Sequence, residues 1–349
     1  MTGGPGGMVV MTRLIRAMIA RGHDVEFVSF RPSGTPSFPD GEALYRGIKV
    51  TFIGVPYSDT FSVSVNGQVK AAAQYLKTHA GEYDRVILDS WYIMLAAALA
   101  QVISLPHVFH LAQRDPVFEP EDDSKIWQAI LFELMGSIPA QRIVVGRSVA
   151  AVLKERNGYT YPALDPCIDD TFRAVPFTVR EHTPLRFVAS AANFNLPWKG
   201  LVFLLQQLEQ FAPRSFELTL IAGTAIEHDL APYHYPITVT RARTPTSLRD
   251  ILMRHDVYLC TSTKESFCLA LAEAVTLGMP TVAMDSIGNR DYFNGSNFLF
   301  AKNERDFLPF LSEVSILETR KRLHMAARPS MERYTAEQMV QQFVSALGI

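Results

Sequence analysis

The stretch TSTKESFCLALAEAVTLGMPTVAMDS, residues 261–286, sets how this 349-residue chain is read. It overlaps an apolar run, VYLCTS (257–262), which reads as a buried strand. A short loop then carries Lys264 and Glu265, and a helix is expected to begin near Ser266 and Phe267 and to run over 267–278. Gly278 and Pro280 stop that helix and open the next strand, PTVAMDS (280–286). The first backbone N–H groups of such a helix, from Ser266 and Phe267 to Cys268 and Leu269, point back at the loop, where they can hold phosphate oxygens. Glu273 lies eight residues beyond Glu265, on the early turns, where a carboxylate can take two hydrogen bonds from a ribose diol.

The same strand–helix alternation extends outward in both directions. Strands are expected at 185–191, 216–223 and 237–240, and helices at 199–211, 247–255, 312–328 and 334–348. Toward the N-terminus the pattern gives strands VEFVSF, 48–55, 85–90, 107–112 and 142–147, with helices at 67–79, 92–103 and 127–138 and an acidic, proline-bearing loop at 115–124. These strands are too apolar to have a wet face, which implies mostly parallel sheets covered on both sides. The chain opens on MTGGPGG, a glycine-rich turn feeding a helix on which Val10, Leu14, Met18 and Ile19 share a face. No strand precedes that turn, although a doubly wound sheet would place one there. A late start, a truncated chain and a shortened sheet edge all fit. Prolines 162, 166, 176 and 184 mark the linker between two domains, the number that the length favours.

Composition narrows the function classes. Hydrophobic residues make up 48% and charged residues 19%, which is a packed globular chain. A net charge of −2 calls for no nucleic-acid partner. Cys167, Cys260 and Cys268 show neither metal-ligand spacing nor a disulfide framework and read as reduced thiols of a cytoplasmic protein. No apolar run reaches the roughly 18 residues needed to span a bilayer, and no basic segment leads into an apolar one at the N-terminus. Peripheral membrane contact through the apolar helix 127–138 is a lesser alternative to ordinary burial. Nothing resembles an Asp-x-Asp element or a histidine cluster, so no metal is expected.

The order Glu265, Phe267, Glu273, Ala274, Gly278, Pro280, Val282 resembles the paired-glutamate signature of retaining glycosyltransferases of family 4, among the group 1 glycosyltransferases with the GT-B fold. Ser266 stands where the family usually has glycine. Other parts follow in the family's order. Gly6 and Gly7 resemble its glycine loop, His110 its histidine after a mid-sheet strand, Cys167-Ile168-Asp169 with Phe172 its entry into the second domain, and Lys199-Gly200 its Lys-Gly pair. The arginine that usually precedes that pair is missing from SAANFNLPWKG, and Arg241, Arg243, Lys264 or Arg290 are candidates to replace it.

The resemblance implies two Rossmann-like α/β domains facing a central cleft. The first, 1–170, is the acceptor side, and the second, 171–330, binds the nucleotide sugar. The segment 331–349 is a helix packing near the junction, which can cross back to the first domain. It implies transfer of a sugar from a nucleoside diphosphate sugar to a hydroxyl of a saccharide, a lipid-linked sugar or a small natural product, with no obligatory cofactor. Catalytic roles would fall to Glu265, His110 and Lys199. Donor binding would fall to Glu273, Lys199, Gly6, Gly7, Ser266, Phe267, Cys268, Leu269 and Arg290. A sugar-nucleotide-binding protein without transfer, or a sugar-nucleotide epimerase, is the alternative. A dinucleotide-dependent oxidoreductase would need a strand before a Gly-x-Gly-x-x-Gly turn, which the chain lacks.

Overall fold

The structure is a computed structural model that describes residues 5–32, 46–55, 61–113, 138, 140–211 and 215–349. The expected acidic loop at 115–124 and the expected helix 127–138, apart from its last residue, lie outside them. The chain divides into two compact units, residues 1–165 with 336–349, and residues 166–335. Both are α/β with parallel strands.

In the first unit the chain runs α1 (Pro5–Ala20), β1 (Glu26–Pro32), β2 (Lys49–Val55), α2 (Phe61–His79), β3 (Val86–Leu88), α3 (Trp91–Leu99), β4 (Val108–Ala112), β5 (Gln141–Val145), α4 (Arg147–Asn157) and β6 (Ala163–Leu164). Gly6 and Gly7 do not form a loop ahead of α1. They lie in its first turn, because Pro5, with its fixed φ and no N–H, starts the helix one residue before them. On α1, Val10, Met11, Leu14, Ile15 and Met18 are buried at helical spacing, while Arg16 and Arg21 are exposed. The strands pair as two sheets, β1–β2 and β3–β4–β5–β6. Helix α3 ends at Leu99, short of the expected 103, where Gln101 takes a left-handed φ of 60°. The C-terminal helix, Ala336–Leu347, belongs to this unit. Its Gln342 accepts from the Asp165 N–H at 2.8 Å and donates to the Asp165 carboxylate at 3.1 Å, while Arg147 holds the same carboxylate by two hydrogen bonds.

The second unit holds α5 (Thr171–Ala174), β7 (Leu185–Ala191), α6 (Leu201–Gln210), β8 (Phe216–Ala222), β9 (Ile237–Thr240), α7 (Pro245–Leu252), β10 (Val257–Cys260), α8 (Leu269–Leu277), β11 (Thr281–Met284), β12 (Leu299–Ala301), α9 (Glu304–Val314) and α10 (Leu317–Ser330). Its six parallel strands lie in the order β12-β11-β10-β7-β8-β9. β10 and β11 are buried at every position, which is why VYLC and TVAM read as continuous apolar runs. β9 is one edge, and its sequence ITVT leaves Val239 48% exposed. α6 buries Leu201, Leu204, Leu205 and Leu208, a stripe with i, i+3, i+4 and i+7 spacing. α7 begins two residues before the expected position because Thr244 caps it and Pro245 occupies its first turn.

Candidate functional site

The strand order places the site. Chain order reverses between β7 and β10, since β8 lies on one side of β7 and β10 on the other. In open α/β sheets, ligands bind outside the carboxyl ends of the strands at such a switch point. The segment leaving β7 carries Lys199, and the segment leaving β10 carries Glu265. The fold therefore brings together two residues 66 apart in the chain.

Several contacts stitch the two segments. Lys199 Nζ donates to Glu265 Oε1, and Ser262 Oγ donates to the same oxygen at 2.6 Å. Glu265 Oε2 takes no hydrogen bond from the described residues. Thr261 Oγ1 donates to the Lys199 carbonyl at 2.9 Å, and the Thr263 N–H to the Trp198 carbonyl at 2.9 Å. Burial works to lower the Lys199 pKa, but the Glu265 carboxylate outweighs it and holds the ammonium above its usual range.

α8 begins at Leu269 rather than near Ser266. The Gly288 N–H donates to the Glu265 carbonyl at 2.8 Å, and the Gly288 backbone lies so close to Ser266 that a Cβ there would sit 2.4 Å from the Ser266 carbonyl carbon. Ser266 and Phe267 are drawn into this crossing and bend, so Cys268 becomes the residue before the helix. No side chain caps α8. Its first amides are those of Leu269, Ala270 and Leu271, which in a helix have no partner within it. Glu273 follows in the next turn and is buried. Arg290, read as a donor-binding residue, is held by two hydrogen bonds to Asp285, both 2.8 Å, which raise its pKa.

Where the missing arginine would stand, the structure has asparagines that tie two loops together. Asn195 Nδ2 donates to the Ala225 carbonyl at 2.9 Å, and its Oδ1 accepts the Glu227 N–H at 2.9 Å. Asn193 Oδ1 accepts from Thr224 Oγ1 at 3.2 Å. Beside that loop a recess of about 360 Å³, lined by Gly223, Thr224, Ala225, Val239, Thr240 and Arg241, opens at the carboxyl ends of β8 and β9. Neither this recess nor the Ser262 contact is expected from the sequence. Gly223, closing an apolar strand, was the available signal.

In the first unit, His110 sits in the middle of β4, whose five residues are all buried, with Arg142 of β5 opposite it in register. Arg142 Nε donates to His110 Nδ1 at 3.3 Å, so the imidazole proton is assigned to Nε2. The guanidinium also lies over the Tyr161 ring, 5.4 Å from its centroid. Burial, aided by the charge of Arg142, pushes the His110 pKa down to about 3. His110 is therefore a neutral hydrogen-bond donor and no base at neutral pH. Arg142 was not singled out in the sequence, although an arginine within the apolar run RIVV was its signal. Gly7 lies near the end of the same strand, where a Cβ would sit 3.1 Å from Gln113 Oε1.

The depressed His110 pKa carries a stability consequence. Between pH 6.5 and 3 the unfolded chain binds the His110 proton and the folded chain does not, so stability falls as pH falls through that window. From pH 7 to pH 5 the contribution is about 2 kcal/mol. His110→Asn keeps an acceptor for Arg142 and removes the titration. Urea unfolding at the two pH values should show a loss about 2 kcal/mol smaller in the variant than in the wild type. Equal losses would contradict this account of His110.

Two family models match the chain. The glycosyl transferases group 1 model covers residues 186–313, and the glycosyl transferase 4-like domain model covers residues 6–149. The chain is a GT-B-fold glycosyltransferase related to these groups. The first match spans β7 to α9 and so contains Lys199, Glu265 and Glu273. The second contains Gly6, Gly7 and His110. Solved structures share the fold of this glycosyltransferase at low identity. Sucrose-phosphate synthase from Thermosynechococcus elongatus is 14% identical with a TM-score of 0.74, over 95% of this chain and 90% of that one. Anabaena HepE in complex with UDP and glucose is 14% identical with a TM-score of 0.73, over 100% and 97%. The lipopolysaccharide outer core galactosyltransferase WaaB, in its apo form, is 17% identical with a TM-score of 0.68, over 100% and 97%. No curated protein matches the chain. Among the described residues no helix is long and apolar enough to cross a membrane.

Proposed function

We propose that this glycosyltransferase moves a sugar from a nucleoside diphosphate sugar to a hydroxyl acceptor with retention of anomeric configuration. The observation that carries the reading is the Lys199–Glu265 pair at the switch point, one short bend before the uncapped start of α8 and the buried Glu273. In this reading the Lys199 ammonium and the first amides of α8 stabilise the charge that develops on the departing diphosphate. Glu265 engages the donor sugar through Oε2, its other oxygen being occupied by Lys199 and Ser262. Glu273 holds the ribose, and the recess beside Gly223 and Arg241 takes the base. His110 acts as a neutral donor to the sugar. Because HepE has been solved with UDP and glucose, UDP-sugars are the first donors to try.

A second reading has an observation of its own. Asn193 and Asn195 occupy the place of the usual arginine and are engaged with neighbouring loops, which favours a protein that binds the donor without transferring it. Product analysis with labelled donors separates the readings. Transfer predicts nucleoside diphosphate release that grows with an acceptor and a labelled glycoside product. Binding without release would overturn transfer, and so would conversion of the donor to an epimer without acceptor. Glu265→Ala should lower turnover about a hundredfold with donor affinity changed little. Wild-type turnover in that variant would remove Glu265 from the site.

A further inference from the structure

Two of the three cysteines flank the donor loop, and the thiol of neither has a role in the reading above. Cys260 closes β10 and Cys268 immediately precedes α8. Both thiols are buried, and their sulfurs are 3.8 Å apart. The intervening residues 261–267 include Thr261, Ser262 and Glu265, which hold Lys199 and its segment. We propose that Cys260 and Cys268 form a peroxide-sensitive dithiol whose closure to a disulfide disables the donor site.

The step balances with hydrogen peroxide as the oxidant. The Cys260 thiolate attacks one peroxide oxygen; the sulfur–oxygen bond forms, the oxygen–oxygen bond breaks, and hydroxide leaves and takes up the thiol proton as water. The Cys268 sulfur then displaces the sulfenic oxygen, forming the disulfide and a second water. Two thiols lose two electrons and the peroxide gains them. Cys260 is suited to attack first, because the Cys268 thiol beside it holds its pKa below the usual thiol range, with Lys199 assisting and burial opposing. The pair differs from a structural dithiol in its placement. A disulfide requires a sulfur separation of about 2.05 Å, so the two sulfurs must draw together by more than an ångström. Cys260 is held in register beside Ala283 of β11, so any backbone movement that closure requires falls on Cys268 and the start of α8. Among the described residues, the Cys268 carbonyl is held there by a 3.2 Å bond from the Tyr292 hydroxyl and by the helix itself. Moving it shifts the amides that would face the diphosphate and the bend that positions Glu265. Burial of both sulfurs admits a small peroxide more readily than a bulky disulfide reagent.

The site affected is the one assigned under the proposed function, and the inference rests on that reading for its consequence but not for its chemistry. The test treats the full chain with hydrogen peroxide and follows two readouts, peptide mapping of the crosslink and calorimetric binding of UDP and GDP. The expected results are a Cys260–Cys268 crosslink reversed by dithiothreitol, and a nucleoside diphosphate affinity at least about tenfold weaker while the crosslink is closed. Cys260→Ala and Cys260→Ser should both keep their affinity through the same treatment. Oxygen addition at Cys260 without a crosslink, a crosslink through Cys167, or a crosslink that leaves affinity unchanged would each overturn the proposal. If the reduced chain binds neither nucleotide, the functional reading fails, while the mapped crosslink alone still decides whether the dithiol closes.

Discussion

Lys199→Met should lower sugar transfer by about a hundredfold to a thousandfold, the range seen when one preorganised stabiliser of developing charge is removed. Two effects combine. The variant removes the cation that faces the departing diphosphate, and it leaves the Glu265 carboxylate, 15% exposed, with Ser262 as its only side-chain hydrogen-bond donor among the described residues. An incompletely desolvated carboxylate left this way costs stability of about 1–2 kcal/mol, less than a fully buried one would. The double variant Lys199→Met with Glu265→Gln separates the two effects. It removes the unpaired charge, so thermal stability should recover toward wild type, while turnover stays low. Initial rates of nucleoside diphosphate release and melting temperatures, measured on both variants, check this. Turnover that recovers together with stability would show that Lys199 acts only as a structural partner of Glu265.

Gly200→Ala should be strongly damaging, because it combines a left-handed backbone with a clash against a backbone atom. Gly200 has φ +67°, and an added Cβ would sit 2.6 Å from the Thr261 carbonyl oxygen and 3.0 Å from Thr261 Cβ. The left-handed backbone alone costs about 1 kcal/mol in an L-residue. The overlap with a backbone atom adds more, because neither side can yield: Thr261 Oγ1 is bonded to the Lys199 carbonyl, and Gly200 opens α6. A total loss of about 3 kcal/mol is expected, with nucleotide binding lost as the two site segments separate. Gly158→Ala is the control. Its φ is +78° and nothing lies within 4 Å of the new Cβ, so only the backbone cost of about 1 kcal/mol should appear, without effect on binding. Chemical denaturation followed by nucleotide titration distinguishes the two. Equal losses in both variants would mean that the contact with Thr261 carries no weight.

The second unit was far more legible in the sequence than the first. Its central strands are buried on both faces and appear as unbroken apolar runs, and Gly278 and Pro280 punctuate the helix between them. Glu265 could be named because it stands in a short loop between an apolar strand and a helix, and Lys199 through its resemblance to the family's Lys-Gly pair. Their direct contact could not, since it depends on how the 192–200 and 261–268 segments fold over one another. The later start of α8 has no signal in the local pattern, because Gly288, which crosses there, lies far along the chain. In the first unit, Pro5 turned an expected glycine loop into the first turn of a helix. The partnership of His110 with Arg142 depends on strand register, which neither sequence stretch contains by itself. Arg290 read as a free cation near the donor because its neighbour Asp285 lies across a turn rather than on the same helix face.

The central claim is that residues 199–200 and 261–273 form a donor half-site, with Glu273 on the ribose. Calorimetric titration of nucleoside diphosphates into the full chain and into Glu273→Ala tests it most directly. The account predicts saturable binding to the wild type, weakened about thirtyfold or more in the variant, the equivalent of about 2 kcal/mol for hydrogen bonds to a carboxylate. Binding of equal strength to both proteins, or no binding of any nucleoside diphosphate to the folded wild type, would contradict it.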